Sequence, residues 1–223
     1  MSKKPIIQVA MDYIETKDAV EMSKIVAPVV EAIEIGTPLC KAEGMHAVRA
    51  VREACPDHII MADMKTPDVG GLEAKIAFDA GADWMTVLGA APADTLRLAL
   101  EEAATRPGHE ILVELTGIQD IAARAKAWRA MGVERMVYHR GWDEGNLSRT
   151  WEPSDRVTLE ALADMGFKLS VAGGLELESL DFFAGLPLAV FVIGRAIRGT
   201  PDPAATARTF QARIRELWGS DGE

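Results

Sequence analysis

Short apolar runs alternate along the chain with longer stretches in which apolar residues recur every three to four positions. The short runs read as strands at 6–11, 32–36, 58–63, 84–88, 110–115, 133–139, 168–172 and 188–193. The longer stretches read as helices over 17–30, 43–55, 69–80, 93–105, 118–131, 154–165, 176–183 and 203–218. Val20, Ile25, Val26 and Val29 mark the buried face of the first helix, and Met45, Val48 and Val51 that of the second. Gly81-Ala82-Asp83 and Pro107-Gly108 punctuate the pattern, and Ser154 is placed to cap a helix. The longest irregular connection is 141–153. Parallel strands covered on both faces read as near-continuous apolar runs, as these do. Eight strand–helix units in succession predict an α/β fold, a (β/α)8 TIM barrel in a single domain over residues 1–223. The competitor is an open doubly wound sheet, which commonly carries Gly-x-Gly-x-x-Gly after its first strand. No such motif follows residues 6–11.

A barrel brings the carboxyl ends of all its strands to one mouth, and chemistry collects there. Those ends carry Asp12, Glu34, Asp63 with Lys65, Glu114, His139 with Arg140, Gly173-Gly174 and Gly194-Arg195. Strand four offers only Thr86 and Leu88. The stretch Asp63-Met64-Lys65-Thr66-Pro67-Asp68 is the centre of the pattern. If the strand continues, Asp63 and Lys65 point the same way, while Asp68 lies on the loop after a turn-favouring proline. Such a cluster can bind a cation, hold an anionic substrate and move a proton; an ordinary ion pair at a strand end fits the spacing too.

Glu34 and Asp63, on neighbouring strands, suit a hard divalent cation. Mg2+ takes one or two protein carboxylates and leaves positions for substrate oxygens. The alternative is one carboxylate paired with Lys65 and no metal. Gly173, Gly174, Gly194 and Arg195 follow strands seven and eight, where barrels of this kind often bind phosphate. Glycines let backbone N–H groups approach an anion, and arginine adds a forked donor. His139, facing the same mouth, is a candidate proton donor near neutral pH.

Composition narrows the partners. The 223 residues are 48% hydrophobic and 26% charged, enough for one domain with a sizeable core. A formal net charge of −10 disfavours nucleic acid. Cys40 and Cys55 lack metal-like spacing and read as reduced thiols of a cytoplasmic protein. No apolar run approaches the roughly 20 residues needed to span a membrane, and the N-terminus lacks the apolar segment of a signal peptide.

Asp63-Met64-Lys65-Thr66-Pro67-Asp68 with Glu34-Ile35-Gly36-Thr37, Glu114-Leu115-Thr116-Gly117, Tyr138-His139-Arg140 and Gly194-Arg195 resembles the orotidine 5′-phosphate decarboxylase suprafamily. Within it the chain looks like the 3-keto-L-gulonate 6-phosphate decarboxylase branch, from Gln8 to Gly219. The resemblance implies Mg2+-dependent loss of CO2 from a β-keto sugar phosphate through an enediolate, in hexuronate or ascorbate breakdown. Glu34 and Asp63 would hold Mg2+, Asp12 would contact the substrate, and Gly173, Gly174, Gly194 and Arg195 would grip its phosphate. Lys65 would stabilise developing negative charge. His139 would deliver the proton, with Glu114 orienting or relaying and Arg140 positioning the donor or a water. The resemblance also implies a homodimer in which Asp68 reaches the partner's site. Two positions depart from the branch pattern: Trp142 stands where an arginine is usual, and Ala172 where a threonine is usual. Both are similar to the 3-hexulose-6-phosphate synthase branch, which condenses formaldehyde with D-ribulose 5-phosphate. A non-catalytic sugar-phosphate-binding barrel is the third reading.

Overall fold

The computed structural model describes residues 4–141, 143 and 150–219. Its strands are β1 (Ile6–Met11), β2 (Ala32–Ile35), β3 (Ile59–Thr66), β4 (Trp84–Leu88), β5 (Glu110–Glu114), β6 (Arg135–His139), β7 (Lys168–Ala172) and β8 (Leu188–Ile193). They are hydrogen-bonded in sequence order into a closed barrel, with β8 returning to β1 in parallel register. The expected TIM barrel is therefore the observed fold.

The described helices are α1 (Thr16–Val26), α2 (Thr37–Glu43), α3 (Met45–Ala54), α4 (Gly70–Asp79), α5 (Ala93–Ala104), α6 (Ile121–Ala130), α7 (Pro153–Asp164), α8 (Ser179–Phe182), α9 (Arg195–Arg198) and α10 (Pro203–Trp218). Among them, none is long and apolar enough to cross a membrane. The expected 43–55 helix begins earlier and is divided. Pro38 sits in the first turn of α2, where its missing N–H costs nothing, and Gly44, at φ +59°, separates α2 from α3. The cap expected at Ser154 is instead Glu152. Its side chain accepts the Asp155 amide while Asp155 accepts the Glu152 amide at 2.8 Å, a reciprocal box.

β3 extends three residues beyond its expected end and contains a bulge. Met61 and Ala62 pair with Trp84 and Met85, but the next pair is Thr66 with Val87. Asp63, Met64 and Lys65 thus face one residue, Thr86. Lys65 takes φ +49°, the left-handed region that side chains seldom adopt.

The main core lies between strands and helices and includes Ile33, Ile60, Met85, Val113, Leu169 and Phe191. A second cluster fills the barrel: Ala10, Met61, Trp84, Leu112, Val137, Val190 and Val192. At the amino ends of the strands, Arg135 stacks 4.4 Å from the Trp84 ring centroid and donates to Glu110 at 2.5 Å. That end is plugged; the opposite end opens into a cavity.

Candidate active site

The cavity holds about 470 Å3 at the carboxyl ends of the strands. Asp12, Glu34, Asp63, Lys65, Glu114, His139, Gly173, Gly174, Gly194 and Arg195 all line it. Two further candidates do not line it: Asp68, expected to serve a partner's site, and Arg140. Asp68 is exposed on the loop after β3, its carboxylate accepting the Val69 amide at 2.7 Å. Arg140 lies behind the cavity wall. Its guanidinium stacks 4.7 Å over the Trp151 ring and donates to the carbonyls of Gly173 (3.2 Å) and Gly174 (3.4 Å).

Lys65 and Asp63 anchor the floor. The Lys65 ammonium donates to Asp63 Oδ2 at 2.5 Å and lies 3.5 Å from Glu114 Oε2. Thr37 also donates to Asp63 Oδ2 (2.6 Å), and Thr86 donates to its Oδ1 (2.7 Å). Burial disfavours the Lys65 charge, yet Asp63, Glu114 and Glu34 together push its pKa above the ordinary value.

Glu114 is almost wholly buried. The Thr116 amide (3.0 Å) and hydroxyl (2.5 Å) both donate to its Oε1, leaving Oε2 to Lys65 and His139. His139 Nδ1 is 3.3 Å from Oε2, close enough for attraction but without hydrogen-bond alignment. Burial opposes Glu114's ionisation; His139, Lys65 and Thr116 outweigh it and bring the pKa down to about 2.

Glu34 is in the opposite state. Burial first, then the Asp63 and Asp12 carboxylates, push its pKa well above the usual range. Gln8 from the layer beneath donates to Glu34 Oε2 at 2.5 Å. A buried carboxylate repelled by two others fits a cation at this position. Among the described residues no three His, Cys, Asp or Glu side chains converge as a complete ligand set. Two carboxylates with open positions for water and substrate suit Mg2+ better than a dedicated protein cage.

Asp12 accepts from Arg198 at 3.2 Å, and that guanidinium lies 4.8 Å over Tyr13. Burial raises the Asp12 pKa, Arg198 pulls the other way, and Asp63 adds to the rise. Gly36 leaves room for this carboxylate: a Cβ there would come 2.2 Å from Asp12 Oδ1, so the Asp12 side chain would have to shift. Gly173 and Gly174 take φ +101° and +62°. A Cβ on Gly173 would come 1.9 Å from the Arg140 carbonyl oxygen. Arg195 opens α9 immediately after Gly194.

Sequence reasoning passed over Gln8, Thr37, Thr116, Asp143 and Arg198. Thr37 and Thr116 each stand two residues beyond their strands, and Arg198 is one helical turn from Arg195, so position could have flagged these three. Asp143 is exposed at the cavity mouth. Trp142 lies outside the described residues, whereas Ala172 is buried in the cavity wall.

Residues 5–210 match the orotidine 5′-phosphate decarboxylase / HUMPS family. The chain belongs to that family. It is 40% identical over 215 residues to the 3-keto-L-gulonate-6-phosphate decarboxylase UlaD of Escherichia coli O139:H28, covering 96% of this chain and 99% of that one. Its barrel is similar to that of the family member KGPDC from Streptococcus mutans in complex with D-R5P. There the TM-score is 0.93 at 35% identity, over 96% of this chain and 99% of that one. A 3-hexulose-6-phosphate synthase structure superposes with a TM-score of 0.87 at 41% identity, over 94% and 99% of the two chains. The resemblance read from the motifs thus holds at the level of the whole family barrel, and both sugar-phosphate branches are near.

Proposed function

We propose that this chain is a decarboxylase converting 3-keto-L-gulonate 6-phosphate to L-xylulose 5-phosphate and CO2. The observation that carries the reading is the Lys65 ammonium held between Asp63 and Glu114, with His139 beside Glu114, in a cavity whose opposite wall is Gly173, Gly174, Gly194 and Arg195. The substrate phosphate would take the glycine amides and the Arg195 guanidinium. Asp12, held by Arg198, would accept from a sugar hydroxyl. The substrate carboxylate lies beta to a ketone, so cleavage of the C–C bond releases CO2 and leaves its electron pair in an enediolate. Lys65 stabilises that negative charge as a preformed cation. His139 then delivers a proton to the carbon that lost CO2, with Glu114 orienting the imidazole. Arg140 acts at one remove, bracing the Gly173-Gly174 loop.

Glu34 and Asp63 would hold Mg2+, which would supply positive charge to the substrate's oxygens. A homodimer fits the surface beside Asp68. Val69, Leu72 and Ile76 are 53%, 59% and 42% exposed, and Leu98 of the adjoining α5 is 43% exposed. A contiguous apolar stripe of this kind suits a second copy, which would bring Asp68 to its partner's cavity. Free Cys40 and Cys55 accord with a cytoplasmic setting.

The second reading is synthase chemistry, in which the same enediolate attacks formaldehyde instead of taking a proton. Ala172 in the cavity wall and the 41% identical synthase favour it. Purified protein with Mg2+ would be given 3-keto-L-gulonate 6-phosphate in one assay, and D-ribulose 5-phosphate with formaldehyde in another. CO2 release with much the higher kcat/KM is the expected result; dominant hexulose phosphate formation would overturn the decarboxylase assignment.

A further inference from the structure

Thr86 has no place in the mechanism above and does not line the cavity. It is nevertheless fully buried at the point where the β3 bulge turns. Its hydroxyl accepts the Lys65 backbone N–H at 2.9 Å and donates its one proton to Asp63 Oδ1 at 2.7 Å. One oxygen therefore ties the backbone of one member of the ion pair to the side chain of the other. The tie falls where it is needed. Lys65 is in left-handed backbone, a conformation that is strained for a non-glycine residue and persists only where the surroundings enforce it. Bulges commonly re-aim a side chain beside an active site. In a regular strand Lys65 would pair along β4; here three residues are compressed against one.

We propose that Thr86 is a positioning residue, whose hydroxyl holds the Lys65 turn and so sets the ammonium between Asp63 and Glu114. Valine has nearly the same shape but would leave the Lys65 N–H without an acceptor and Asp63 Oδ1 without this donor. Serine keeps the hydroxyl. The kinetic part of the proposal rests on the decarboxylase reading; the structural part does not.

The test compares T86V and T86S with the native enzyme in kcat, KM, melting temperature and hydrogen exchange at the Lys65 amide. T86V is expected to lose about 100-fold in kcat, the scale set by small misplacement of a reacting group, with KM changed by no more than about threefold. Its Lys65 amide should exchange faster, while T86S should stay near the native enzyme in both. Native kcat in T86V overturns the proposal. So does a lowered melting temperature with kcat unchanged, or an equal loss in T86S. If the native protein leaves the keto sugar phosphate untouched, the function reading fails by itself. Amide exchange then decides: faster in T86V alone supports the tie, and unchanged in T86V overturns it.

Discussion

Glu34 and Glu114 are both buried carboxylates, yet their surroundings drive them apart. Glu114 faces Lys65, His139 and Thr116 and stays ionised. Between about pH 4.5 and 2 the unfolded chain binds its proton more readily than the folded one. Glu114 therefore contributes stability that is present above that window and lost as pH falls through it. An acid melting series should show E114Q flattening this part of the curve. Glu34 has the reverse sign, because its folded pKa is raised. Its proton favours the folded state, and the benefit is lost as pH rises past its unfolded value. Without Mg2+, E34Q should therefore melt higher than the native protein at neutral pH, while needing about tenfold or more Mg2+ for half-maximal activity, the scale of perturbed metal sites. Melting and Mg2+ titration on the same samples check both halves. Arg195 tests the anion grip. R195A should raise KM by about 10- to 100-fold, equivalent to roughly 1.4–2.7 kcal/mol of binding, with kcat little changed. A normal KM would remove the phosphate assignment.

At the scale of elements, what the sequence made legible was governed by period. The strands are continuous apolar runs and the longer helices repeat every three to four residues, so their order and approximate limits follow directly. The four-residue α9 is too short to show a period, although Arg195 lies at its start. The β3 bulge left no trace in apolar pattern, because it depends on a hydroxyl from β4. Arg140 was separable in principle: successive strand residues face opposite sides, so His139 pointing inward turns its neighbour away. Val69, which caps α4, and Leu72 and Ile76 within it stay exposed at helical spacing. L72K is expected to shift the protein towards monomer in sedimentation velocity and to lower activity by removing Asp68 from its partner's site. Unchanged sedimentation would discard this face as the contact.

Across the molecule, carboxylates, lysine, histidine and glycine loops come from seven of the eight strands, and only closure of the barrel brings them together. This convergence was legible because the alternation tells which strand end each residue occupies. The rotamers were not, since Asp63 is aimed by Thr37 and Thr86 and Asp12 by Arg198, all from other elements. Ligand bound at such a mouth should stabilise the whole fold. A ketose phosphate with Mg2+ at about 100 times its Kd would add about 2.7 kcal/mol. For a chain of this size that is a rise of about 5–10 °C in melting temperature, and thermal shift with D-ribulose 5-phosphate reads it.

The plug of Arg135, Trp84 and Glu110 and the reactive mouth sit at opposite ends of the same strands, with apolar side chains between them. The two ends are insulated from each other. Rewriting the mouth for a new electrophile leaves the stopper untouched. On the enediolate chemistry proposed above, a lineage could exchange a proton for an aldehyde without having to reinvent its architecture.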